Sequence, residues 1–172
     1  PRKVGKRKLI EGVLIEINEL FVSIDCSNKV TKRRLSEDYS LLKTIPGFVV
    51  LHDAQYLKNL NQLLEAVLMG EIKATVIVCC SFRPKVKPEL LEALRLEGLE
   101  VNLFAPSFYE SAQHFGLPEE DRLLEERLIY GNYPEVLADL KKAEITLNEI
   151  IQDAIFTNLS GEERINKGDK LM

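Results

Sequence analysis

The sequence predicts an α/β domain with an open parallel sheet and helices on both faces, followed by a small helical subdomain. Short apolar, β-branched runs alternate with segments of helical period as far as residue 106. Those runs are apolar throughout rather than alternating, as in parallel strands covered on both sides. Beyond Pro106 only the helical period remains.

Leu9, Ile10, Val13, Leu14 and Ile17 recur at helical spacing and place a helix over 6–19, before a short buried strand over 20–26 that ends at Asp25 and Cys26. Residues 27–38 are polar, with Lys32, Arg33 and Arg34 together, and read as a solvated loop and helix start. Pro46 and Gly47 open a second strand over 47–51, and a helix over 57–69 closes at Gly70. A third strand covers 75–80, Pro84 and Pro88 punctuate the next loop, a short helix covers 89–96, and Glu100 to Phe104 reads as a fourth strand. The helical segments that follow cover 107–115, 119–129, 135–142 and 145–158, separated by Gly116-Leu-Pro118, Gly131-Asn-Tyr-Pro134 and Glu144. Gly131 is expected at positive φ, with Pro134 opening the next helix and Tyr133 packing inward. The expected organisation is a core over 1–106, a helical subdomain over 107–160 and a polar tail over 161–172.

With 172 residues, 45% hydrophobic and 29% charged, the chain has the balance of one globular domain with a small appendage. Its apolar runs are too short to cross a bilayer and it starts with no signal-peptide pattern, so a cytoplasmic protein without a membrane partner is expected. Cys26, Cys79 and Cys80 sit in apolar strand-like surroundings without zinc spacing to His52 or His114, and read as reduced core residues.

Charge is unevenly placed. The chain carries a net charge of -4, yet Arg2, Lys3, Lys6, Arg7 and Lys8 crowd its start. A solvated basic tail would look similar, but Gly5-Lys6 followed by a helix also matches the second half of a phosphate-binding loop. In such a loop backbone N–H groups cradle phosphates, the lysine reaches the terminal phosphates and a hydroxyl holds magnesium. The hydroxyl position here is Arg7, and Lys8 follows. Enzymes with this loop place a metal-shell carboxylate at a second strand end, which AAA-type members follow with a water-activating glutamate. Phe48-Val-Val-Leu51-His52-Asp53-Ala-Gln55 has that shape, with His52 first and the shorter Asp53 second. A strand ending in a polar turn explains Asp53 and Gln55 equally well.

Together these segments resemble the bacterial and archaeal AAA-type P-loop ATPases with a G-P-R-Q-V-G-K-T-T start, I-D-E-A-Q-Y-L, a T-G-S-S strand end, L-x-P-L-S-F-x-E and Y-G-G-Y-P-E-V. They stand here, in the same order, as Pro1-Arg2-Lys3-Val4-Gly5-Lys6-Arg7-Lys8, Leu51-His52-Asp53-Ala54-Gln55-Tyr56-Leu57, Cys79-Cys80-Ser81, Leu103-Phe104-Ala105-Pro106-Ser107-Phe108-Tyr109-Glu110 and Tyr130-Gly131-Asn132-Tyr133-Pro134-Glu135-Val136.

The resemblance implies a P-loop NTPase-like sheet and a nucleotide site at Gly5, Lys6, Arg7 and Lys8. It makes His52 and Asp53 a degenerate metal-shell motif and Cys79 the sensor position. Arg7 replaces the magnesium-binding Thr, His52 the metal-shell Asp, Asp53 the water-activating Glu and Cys79 a polar sensor residue. Leu99 stands where a Gly-Arg pair would offer an arginine finger. Of these, Asp53 alone is a catalytic candidate. Since catalysis of this kind is mostly electrostatic positioning around the metal, the implied activity is ATP binding with hydrolysis weak or lost and magnesium doubtful. The strand before the loop, central in this fold, would precede Pro1 unless another segment fills its slot, and the family continues beyond Met172. Other parts of a longer chain, or a protein partner, are therefore expected.

The alternative function is a scaffold or interaction domain without nucleotide. Nucleic-acid binding through the basic start, Lys32-Arg33-Arg34 and Arg83-Lys85-Lys87 ranks last, because neither an aromatic signal nor a helix-turn-helix signal accompanies them.

Overall fold

The computed structural model describes residues 3–98 and 100–162, with side chains described through Gln152. The chain divides into two compact units, one spanning Lys6–Asn102 and the other joining the residues up to Gly5 to those from Leu103 onward.

The first unit is α/β. Its order is α1 (Lys6–Glu16), β1 (Phe21–Asp25), α2 (Lys29–Glu37), β2 (Phe48–His52), α3 (Leu60–Leu68), β3 (Thr75–Val78) and α4 (Pro88–Glu97), with short 3-10 turns at Ser40–Thr44 and Ala54–Tyr56. The strands form a parallel sheet in the order β1-β2-β3, with Asp25 opposite His52 and Phe48 opposite Thr75. As the middle strand, β2 is covered on both faces, and Val49, Val50 and Leu51 are fully buried. Alternation along the strand sends Val49 and Leu51 into a core with Cys26, Leu35, Leu63 and Leu90. Val50 goes the other way, to Leu14 of α1 and Cys79. Hence α1 covers one face, while α2, α3 and α4 cover the other.

Gly47 sets the start of β2. Its φ is 75°, and a Cβ there would lie 2.3 Å from the Leu20 carbonyl oxygen, which accepts from the Phe48 N–H at 2.9 Å. Only glycine allows that approach. Helix α1 ends sooner than its apolar period suggests, because Asn18 turns left-handed at φ 57°.

The fourth strand expected over 100–104 is not formed. Among the described residues no segment pairs with the outer edge of β3, and Val101 and Phe104 are exposed. Apolar composition favours a strand, but the strand exists only when its N–H and C=O groups find a neighbouring ladder. β3 is likewise shorter than expected, ending at Val78.

The second unit is helical: α5 (Phe108–Phe115), α6 (Leu117–Arg122), α7 (Leu124–Tyr130), α8 (Pro134–Ala138) and α9 (Ala143–Glu162), with a 3-10 turn at Leu140–Lys142. Ser107 and Glu110 form a reciprocal capping box that starts α5. Gly131 has φ 73° and Pro134 opens α8, as expected, while Tyr133 is only half-buried. The helix expected over 119–129 is broken at Leu123, and across the break Arg127 donates twice to Glu120, at 3.0 and 2.7 Å. Seven residues of straight helix would hold these groups apart by about 10.5 Å of rise. The joint brings them together out of contact with water, at 7% and 0% exposure. The polar tail expected over 161–172 lies, from residue 163, outside the described residues. Among the described residues no helix is long and apolar enough to cross a membrane.

Candidate functional site at the carboxyl ends of the strands

Parallel strands all end on one side, and in open α/β sheets ligands sit in the crevice beyond those ends. Here β1 ends at Asp25, β2 at His52, and Cys79 follows β3. Because α1 covers the Val50 face, its first turns lie over the same end.

Arg7 and Glu11, one turn apart on α1, meet the strand ends there. The Arg7 Nη2 lies 3.3 Å from the Asp25 carboxylate and its Nε 3.9 Å from Glu11. The Ser23 hydroxyl donates to Glu11 at 2.5 Å, and the His52 Nε2 lies 3.0 Å from Ser23 Oγ and 3.3 Å from Glu11 Oε1. The Ser23 hydrogen bond is the main influence holding Glu11 below the usual carboxyl range, with help from His52 and Arg7. The Ser27 hydroxyl does the same for Asp25, again with help from Arg7. Burial, and then the Arg7 charge, push the His52 imidazole below its ordinary 6.5.

A carboxylate only accepts, so the His52 nitrogen facing Glu11 carries its hydrogen and donates. Ser23 spends its own hydrogen on Glu11. The three residues therefore do not form a nucleophile relay: that arrangement needs serine donating to one ring nitrogen and the acid accepting from the other. Here serine and acid crowd the same nitrogen, which is a donor. With the His52 proton on Nε2 the network is structural and electrostatic.

Asp53 lies just beyond β2 in the left-handed region, at φ 52°. Its Oδ1 accepts from the Ser81 hydroxyl at 2.7 Å and from Gln55 Nε2 at 3.0 Å, while Gln55 Oε1 accepts from the Ser81 N–H at 3.3 Å. Asp53 thus braces the loop after β3. Cys79 is buried, and burial pushes its thiol up while the charges of Lys6 and Arg7 pull it down.

Of the residues singled out by sequence, Lys6, Arg7, His52, Asp53 and Cys79 converge on this end of the sheet. Lys8 is exposed in the first turn of α1, and Gly5, at φ 88°, is counted with the helical unit. Leu99, the arginine-finger position, and Arg2 lie outside the described residues. Sequence reasoning misses Glu11 and Ser23, and names Asp25 and Ser81 only as strand-end residues without a role. The available signals were the i,i+4 spacing of Arg7 and Glu11 and the acid at the end of the first strand.

Magnesium does not fit this arrangement. It demands near-octahedral oxygen ligands, whereas Asp25 and Glu11 are already neutralised by a guanidinium and His52 offers a nitrogen rather than an oxygen. Among the described residues no group of three or more His, Cys, Asp or Glu side chains is placed to hold a metal ion.

No protein-family model, no curated protein and no solved structure matches this chain.

Proposed function

We propose that the sheet-bearing unit is an AAA ATPase-like, nucleotide-binding domain that binds ATP without magnesium and hydrolyses it weakly or not at all. One observation carries this reading: Arg7 stands in ionic contact with Asp25 and Glu11 beside His52, at the strand ends where a P-loop enzyme would keep its metal. A fixed guanidinium supplies positive charge but cannot bridge phosphate oxygens as an ion with exchangeable ligands does. Lys6, at the start of α1, is the residue assigned to the phosphates. The three thiols suit a reducing compartment, and a cytoplasmic protein is proposed on that ground.

ATP titration by calorimetry, in magnesium and then in EDTA, tests this. Affinity should be unchanged or higher in EDTA, fall with salt, and be lost in Lys6→Ala, with ATPase activity at background. Tenfold weaker binding in EDTA, or turnover of ~1 per second abolished by Lys6→Ala, would overturn it. A second reading, a scaffold without nucleotide, draws on the same contact, since Asp25 and Glu11 already neutralise Arg7. Absence of ATP binding under both conditions would favour it.

A further inference from the structure

The fold brings together on one surface two basic clusters that are far apart in the sequence. Lys32 of α2 places its ammonium 5.7 Å from the centre of the Tyr56 ring. Tyr56 meets Phe82 edge to face, with ring centres 6.0 Å apart, and Arg83 follows. The loop carrying Phe82, Arg83 and Lys85 is held against this region at both ends. Ser81 is tied to Asp53 and Gln55, and Asn61 bonds the Lys85 carbonyl at 3.2 Å and the Lys87 N–H at 3.0 Å. On the other side Asn59 bonds the Leu35 carbonyl at 2.7 Å and anchors α2.

The charge of this surface is one-sided. Residues 54–61 and 81–88 include Lys58, Arg83, Lys85 and Lys87 and no acid, and α2 adds Lys29, Lys32, Arg33 and Arg34 against Glu37 alone, in a chain of net charge -4. Of the neighbouring acids, Glu37 is engaged by Arg33, Glu65 by Lys87, and Asp53 by Ser81. Tyr56 and Phe82 are partly buried, and Lys58, Arg83 and Lys85 are exposed.

We propose that this surface binds single-stranded nucleic acid, with bases stacking on Tyr56 and Phe82 and phosphates meeting Lys32, Lys58, Arg83 and Lys85. Cations alone would suit any polyanion. An aromatic pair set among cations adds a platform for a base, and stacking tolerates any sequence because every base has a π-face. Four phosphate contacts predict a salt dependence of slope about -3 on logarithmic axes. The inference is independent of the nucleotide reading, because it uses neither Lys6 nor Arg7.

Fluorescence anisotropy of the full chain with labelled oligo(dT) and oligo(U) of roughly 16 nucleotides tests it, and the two arms separate DNA from RNA. Binding should weaken at least tenfold and its salt slope should flatten in Arg83→Glu/Lys85→Glu, whose sites are exposed. Phe82→Leu and Tyr56→Leu keep apolar bulk and should each weaken binding about tenfold, with melting curves confirming that they fold. Lys141→Glu, in the helical unit, should change nothing. Unchanged affinity in the charge-reversed variant, or no binding at low salt, would overturn the proposal. So would equal competition by polyglutamate or by a duplex of the same length, or indifference to both aromatic substitutions.

Discussion

Arg127 and Arg7 both face carboxylates, in opposite surroundings. Arg127 meets one acid, Glu120, through two parallel hydrogen bonds, and both side chains are buried. Arg7 is 49% exposed and divides its charge between Asp25 and Glu11 at longer distances. The first geometry fixes a joint between two short helices and leaves no freedom to exchange partners; Arg127 Nη1 is buried too, and has no hydrogen-bond partner among the described residues. The second leaves the guanidinium hydrated and able to turn toward another anion. Desolvation separates the structural arginine from the available one.

The largest effect expected from this contrast is at the buried pair. Glu120→Ala leaves an uncompensated buried guanidinium and should cost about 3–5 kcal/mol, read from urea unfolding. Replacing both partners, as Glu120→Leu/Arg127→Met, should recover most of that loss, because no charge is then left unpaired. A double variant as unstable as the single one would show that Glu120 and Arg127 act through packing instead.

A smaller effect is expected from acid. His52 has a lower pKa in the native state than its ordinary 6.5, so below that pH the unfolded chain takes up a proton that the folded one resists. This contribution to stability is complete above pH 6.5 and is lost as pH falls toward the native pKa. Glu11 and Asp25, also shifted down, act only below about 4.5 and 3.8, their ordinary values. The upper window therefore belongs to His52, and His52→Asn should flatten it in urea midpoints measured between about pH 8 and 5.

The smallest effect belongs to Arg7. Half-exposed ion pairs are screened by water, so Arg7→Ala should change stability by no more than about 1 kcal/mol. A cost matching that of Glu120→Ala would remove the distinction between the two arginines.

What was legible in the sequence follows the range of each interaction. The middle strand can be read from Val49, Val50 and Leu51, because burial on both faces leaves an unbroken apolar run. Residues 100–104 carry the same local signal and mislead, since pairing is a property of two segments. The joint at Leu123 has no glycine or proline to mark it. At the site, Arg7, His52 and Asp53 stand out by their position relative to strand and helix ends, and Cys79 only through the family resemblance. Their partnership with Glu11 and Ser23 depends on how α1 lies over the β1–β2 register, which no spacing along the chain encodes.

Cys26 is fully buried beside the strand ends, its N–H bonded to the His52 carbonyl at 2.8 Å, and burial pushes its thiol up to about 12. At neutral pH the reactive thiolate is then on the order of one molecule in 10⁵, and alkylating reagents have no path to it in the closed fold. Its alkylation must await an excursion that opens the core around it. The rate of that reaction would therefore measure how often this core opens, using a probe already present in the native chain.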